Sequence, residues 1–131
     1  VEVMALPLGD ALWIARPISS QDQTKWIILG YIIERKVLAD LCDSIKSGRF
    51  EDQRTRLCKS GMENVTYLIE GSIAQRNAGL FGKLNVGVAS LSSAIANLDM
   101  IYGFNIHRTR DCHDTVWSLG IMTRTIARLV A

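Results

Sequence analysis

The stretch Trp26-Ile27-Ile28-Leu29-Gly30-Tyr31-Ile32-Ile33-Glu34-Arg35-Lys36-Val37-Leu38-Ala39-Asp40 decides how this chain is read. Residues 26–33 are apolar and rich in β-branched side chains, which predicts a buried strand. Taken over residues 26–36, that strand ends in three charged residues. Side chains alternate faces along a strand, so Glu34 and Lys36 share one face and Arg35 takes the other. A charge buried without a partner is expensive, so a carboxylate ending so apolar a strand needs a cationic neighbour or a metal ion. The pair is therefore a candidate for chemistry.

Upstream, the apolar run from Val3 to Leu8 stops at Gly9-Asp10. Residues 1–8 and 11–16 read as two strands around a tight turn there, and residues 17–25 as a polar loop. Downstream, Leu38, Leu41 and Ile45 fall on one helical face, predicting a helix over 38–47 that Gly48 ends. A second helix over 49–60 takes Phe50, Leu57 and Cys58 as its apolar contacts, and Gly61 stops it. Residues 65–70 read as a short buried strand and 71–85 as a loop. A helix over 86–98, a strand over 101–107 and a helix over 111–130 complete the chain. Within the loop, Gly82-Lys83 lacks the following Ser or Thr of a phosphate-binding loop. The alternation predicts an α/β fold, a central sheet flanked by helices. The last helix carries a broad apolar face through Val116, Leu119, Ile126 and Leu129, extended by Trp117 and Ile121, which reads mostly as core.

Composition sets the bounds. At 131 residues the chain makes one domain large enough for a real core. Hydrophobic residues at 48% and charged residues at 21% argue against disorder. A net charge of +2 permits nucleic-acid binding without arguing for it. Lys25 and Glu34 bracket the longest apolar stretch, which is too short to span a membrane. Three cysteines, Cys42, Cys58 and Cys112, make no disulfide framework and suit a reducing compartment. Cys112-His113-Asp114 with His107 has no spacing that fits a closed zinc site.

Asp10, followed on a later strand by Glu34 and Lys36, is the arrangement with which many metal-dependent DNA nucleases assemble their centre. Two carboxylates suit Mg²⁺, a cation that takes hard oxygen ligands. A lysine beside them positions the attacking water and offsets phosphate charge. Each residue also has a plainer reading. Asp10 is a common turn former, and Lys36 is a strand-end lysine reaching for solvent. Asp40, four residues on, either pairs with Lys36 or Arg35 and orients them or serves as an acidic first-turn residue of the helix. In the second helix Arg49, Gln53 and Arg56 at i, i+4 and i+7 share a face, either for phosphate contact or as a solvated surface.

Gly9-Asp10 followed by Glu34-Arg35-Lys36, three residues and Asp40 resembles the signature of the XPF family of structure-selective DNA endonucleases. The run from Asp40 to Leu57, then Tyr67-Leu68-Ile69-Glu70-Gly71, Ile101-Tyr102-Gly103-Phe104 and Arg108-Thr109, is similar to the MUS-type catalytic branch of that family. The resemblance covers nearly the whole chain. It implies a restriction-endonuclease-like nuclease domain over residues 1–131, N-terminally incomplete and without the family's helix-hairpin-helix module. It implies cleavage of branched DNA (3′-flaps, forks and nicked junctions) in recombination and fork repair. The catalytic set it implies is Asp10, Glu34, Arg35, Lys36 and Asp40. Asp10, Glu34 and the Arg35 backbone carbonyl would hold Mg²⁺, for which Mn²⁺ can substitute, and the Arg35 side chain would tie down a loop or an acid. It places Arg49, Gln53 and Arg56 against DNA. It further implies a nuclear location and a heterodimer with a non-catalytic EME-type subunit, for which part of the last helix is the surface. The alternative is a non-catalytic paralogue that supplies dimer contacts and DNA binding alone.

Overall fold

The computed structural model describes residues 1–71 and 88–131. Its strands are β1 (Ala11–Ala15), β2 (Ile27–Val37), β3 (Asn64–Glu70) and β4 (Asn105–Thr109). They form one sheet in the order β1-β2-β3-β4. β1 runs antiparallel to β2, while β2, β3 and β4 are mutually parallel. The helices are α1 (Leu38–Ser47), α2 (Arg49–Cys58), α3 (Val88–Met100) and α4 (Cys112–Val130). The result is the mixed sheet flanked by helices that the sequence predicts.

The two halves of β2 differ. Pairing with β3 begins only at Tyr31 opposite Asn64, so residues 27–30 have β1 alone as a neighbour. Ile27 and Ile28 are accordingly exposed, whereas Ile32 and Ile33 are buried. The strand is therefore buried only in the half that leads into Glu34, not along its whole length.

Register then sorts the side chains onto two faces. Ile32, Glu34 and Lys36 stand opposite Val65, Tyr67 and Ile69. Ile32, Tyr67 and Ile69 pack with Leu41, Leu57, Leu91 and Phe104 into the main core, which α1, α2 and α3 close. Each fully buried leucine there contributes roughly 1.5–3 kcal/mol relative to exposure. Ile33, Arg35, Leu68 and Glu70 take the other face, where α4 lies. Gly48 alone joins α1 to α2, at φ 77°, a left-handed conformation that a side chain would strain.

Several expectations are corrected. No strand forms over residues 1–8: residues 1–6 are irregular, 7–10 bend, and Val1 and Val3 are fully exposed. Proline at position 7 lacks the N–H that a ladder would use, and this segment is held instead by the Arg56 guanidinium donating to the Pro7 carbonyl oxygen at 2.8 Å. Cys58 is exposed rather than a core contact. The fourth strand starts at Asn105, because residues 101–102 turn. In α4 the buried residues are Thr115, Ser118 and Ile126, while Val116, Trp117, Ile121 and Leu129 face outward. The face that reads as core is mostly surface, because small polar residues of α4 face the polar ends of β3 and β4. The predicted loop over 71–85, from residue 72 onward and with its Gly82-Lys83, lies outside the described residues.

Candidate active site

Asp10 reaches the site from the bend before β1. Gly9 has φ 72°, and a Cβ there would lie 2.7 Å from Ile32 Cδ1, so only glycine lets the chain press this close to β2. The Asp10 backbone N–H donates to the Ile33 carbonyl at 2.8 Å. The Asp10 carboxylate in turn accepts a hydrogen bond from the Arg35 backbone N–H at 2.7 Å. These two bonds set the carboxylate beside Glu34.

Glu34 is 7% exposed. Lys36 Nζ lies 3.4 Å from its Oε1, on the same face, as strand alternation requires. Burial pushes the Glu34 carboxyl above the usual carboxylate range, and the adjacent Asp10 charge pushes it further, while Lys36 opposes both. Two carboxylates brought together against that cost form a place where added positive charge is favoured. Among the described residues no three His, Cys, Asp or Glu side chains cluster as a metal cage. The two acids are hard oxygen donors of the kind a divalent cation takes when it completes its shell with water and substrate oxygens.

Arg35 points to the opposite face and grips Glu70 with two hydrogen bonds, Nε to Oε2 at 3.1 Å and an Nη to Oε1 at 2.8 Å. This is the acid-tethering role anticipated for it. Asp40 sits exposed in the first turn of α1. Lys36 and Arg35 pair with Glu34 and Glu70, so Asp40 orients neither, and the helix-start reading is the one the geometry matches. Arg49, Gln53 and Arg56 are not equivalent. Arg49 is exposed and donates to Ser47 Oγ at 3.0 Å. Gln53 is half-buried. Arg56 anchors Pro7, and with it the bend carrying Asp10.

Three further residues belong to this region. Tyr67 is fully buried directly across the parallel pair from Glu34. Burial, then the charges of Glu34 and Asp10, hold its phenol far above its ordinary range, so it stays protonated. Its hydroxyl, Gln53 Oε1 and Arg54 Nε have no hydrogen-bond partner among the described residues. The Arg54 guanidinium lies 4.2 Å above the Tyr102 ring. Glu70 carries the signal that singles out Glu34, a carboxylate ending a buried strand. Tyr67 and Arg54 carry no such signal, since their places follow from register and helix packing.

The ERCC4 domain matches residues 1–122 of this chain. The chain belongs to the ERCC4-domain family. Among curated relatives, it is 37% identical to the crossover junction endonuclease mus81 of Aspergillus fumigatus, over 98% of this chain and 22% of that protein. It is 35% identical to the structure-specific endonuclease subunit MUS81 of Homo sapiens, over 97% of this chain and 22% of that protein. The chain thus spans about a fifth of the length of these relatives. Among solved structures, XPF from Aeropyrum pernix in complex with DNA superposes with a TM-score of 0.60 at 26% identity, over 95% of this chain and 50% of that one. The same protein without DNA gives 0.61 at 25% identity, over 97% and 51%. The fold of this ERCC4 domain is the restriction-endonuclease-like fold of XPF nuclease domains.

Proposed function

We propose that this ERCC4 domain is the catalytic module of a structure-selective endonuclease that hydrolyses phosphodiester bonds in branched DNA. The observation that carries the reading is the 3.4 Å pairing of Lys36 with Glu34, beside Asp10, at the end of a buried strand. A buried glutamate set beside a second, exposed acid with one lysine is poor structural material, since apolar packing would serve stability at least as well. It is good material for phosphoryl chemistry, where negative charge must be met in a partly dry site.

Asp10, Glu34 and the Arg35 carbonyl would hold the cation, Mg²⁺ or in its place Mn²⁺. When bound it supplies Lewis acidity at the phosphate and favours ionisation of water. Lys36 presents its ammonium at the same edge, where it offsets phosphate charge and positions the attacking water. Glu34 holds that ammonium in place. Asp10, fixed by the Arg35 peptide, keeps the strand end in register with the bend that precedes β1.

The substrates in this reading are 3′-flaps, forks and nicked junctions, met during recombination and replication-fork repair in the nucleus. The names of the MUS81 relatives, structure-specific and crossover junction endonucleases, support it. The partner is a non-catalytic EME-type subunit. The outward apolar face of α4, with Trp117 69% exposed and Ile121 50%, supports a second chain. The test is cleavage of labelled flap, nicked-junction and plain duplex DNA with Mg²⁺, by the full-length protein with and without that subunit. Cutting confined to branched DNA is expected. Equal cutting of duplex, or none of any substrate, contradicts the reading.

A further inference from the structure

We infer that Glu70 and Thr115 are positioning residues for the Glu34–Lys36 centre, acting through Arg35 from the opposite face of the sheet. The inference rests on the nuclease reading above and extends it to residues that touch neither acid of the centre. Arg35 is the residue between Glu34 and Lys36, so whatever fixes its backbone fixes the spacing of both. It is held at two points. Its peptide N–H is bound by the Asp10 carboxylate on one side. Its guanidinium is bound bidentately by Glu70 on the other.

Glu70 is itself fixed from α4. It is 8% exposed, and Thr115 Oγ1 donates to its Oε2 at 2.7 Å. Thr109 Oγ1 lies 2.7 Å from Thr115 Oγ1. A hydroxyl has one proton, and that of Thr115 is committed to Glu70, so Thr109 is the donor in this contact. The Gly71 N–H donates to the Thr109 carbonyl at 2.9 Å, closing the ends of β3 and β4. The hydrogen bonds thus run in one direction, Thr109 to Thr115 to Glu70, with Arg35 donating from the far side. β2, β3, β4 and the first turns of α4 meet at one carboxylate.

An ionic hub of this kind, with Glu70 buried and the Arg35 side chain 40% exposed, adds little stability that apolar side chains would not. What it adds is geometry. A planar guanidinium in a bidentate carboxylate fork has one orientation, and it is transmitted to the Arg35 backbone, whose N–H holds the Asp10 carboxylate. Groups that orient a metal's ligands from behind typically change affinity or rate by 10- to 100-fold when removed.

The test uses the full-length protein with its partner subunit and four variants: Thr115→Val, Thr115→Ser, Glu70→Gln and Lys36→Ala. Three quantities are read: Mn²⁺ affinity by calorimetry without DNA, kcat and KM for a labelled flap, and hydrogen exchange at the Arg35 amide. Thr115→Val keeps the shape of the side chain and removes the hydroxyl that bonds Glu70 and Thr109, so its melting temperature is measured alongside. It is expected to weaken Mn²⁺ binding and lower kcat by about tenfold each, with KM unchanged. The Arg35 amide should exchange faster, and Thr115→Ser should restore all three. Glu70→Gln should move the same quantities further. Unchanged affinity, kcat and exchange in Thr115→Val, or no restoration by serine, overturns the inference. Lys36→Ala separates the two claims: full activity there sinks the nuclease reading, while metal affinity and amide exchange still judge the relay.

Discussion

Asp10 and Arg35 meet through a 2.7 Å hydrogen bond from the Arg35 peptide N–H to the Asp10 carboxylate. The bond joins the bend before β1 to the middle of the Glu34-Arg35-Lys36 triplet. It brings the second acid to the first without a strand leading up to Asp10. The left-handed Gly9, pressed on Ile32, makes the approach sterically allowed. The site is thus held by one peptide from the front and by Glu70 from behind.

Glu34→Gln should raise the melting temperature of the metal-free protein at neutral pH. The folded state raises the Glu34 pKa, through burial first and then the Asp10 charge. A raised carboxyl pKa means that ionised Glu34 opposes folding above its titration range, and that this penalty vanishes once pH falls below its unfolded value. The stability gain should therefore shrink as pH drops through the carboxylate range. In saturating Mg²⁺ the order should reverse, because only the wild type gains from the bound ion. Scanning calorimetry at several pH values checks both; a variant less stable without metal at neutral pH contradicts the account.

Glu70 should behave in the opposite way. The Arg35 guanidinium lowers its pKa, with the Thr115 hydroxyl adding to the effect against burial. Its contribution is full above the unfolded carboxylate range and is lost as pH falls through the lower folded value. Glu70→Gln should therefore destabilise at neutral pH and converge on wild type in acid. A stability difference that stays constant across that range would show that the charge is not what matters.

Tyr67→Phe should leave the metal-free domain as stable as wild type or up to about 1 kcal/mol more stable, since it removes a buried hydroxyl that has no partner among the described residues. The ring stays between Phe50 and Phe104, at centroid distances of 6.2 and 6.3 Å. Urea denaturation measures it. A loss above about 1 kcal/mol would mean that the hydroxyl is bonded after all.

Arg49→Ala and Arg56→Ala should differ, although they lie on one helical face. Exposed Arg49 is free to meet a phosphate, and its loss should reduce the salt dependence of DNA binding by about one unit of slope, at unchanged stability. Arg56 holds the Pro7 carbonyl. Its loss should cost about 1 kcal/mol of stability and weaken metal binding by loosening the bend that carries Asp10. Fluorescence anisotropy across a salt series, with thermal melts, separates the two; identical behaviour in both assays would return Arg56 to a solvated surface.

Much of this was legible in residues 26–70. Alternation along a strand is strict, so the shared face of Glu34 and Lys36 and the opposite face of Arg35 followed from spacing alone. Leu38, Leu41 and Gly48 bounded α1 because helical period and a left-handed terminator are local signals. Burial was less legible, since it depends on neighbours distant in sequence. Ile27 and Ile28 look like core residues, yet β3 does not reach them. Trp117 and Ile121 look like core residues of α4, yet Thr115 and Ser118 take the inward positions because Glu70 and His107 need hydroxyl partners. Asp40 was a plausible partner for Lys36 by spacing, and only Glu34's place on the same face shows where that lysine goes.

The most direct test of the central claim is flap cleavage by Lys36→Ala in the full-length protein with the proposed partner subunit, at saturating Mg²⁺. Lys36 lies near the C-terminal end of β2 with its ammonium on Glu34, so the melting temperature and DNA affinity of the variant are measured beside its cleavage rate. The account predicts a loss in kcat on the order of a hundredfold or more. Cleavage within about threefold of wild type, at equal melting temperature, would contradict it.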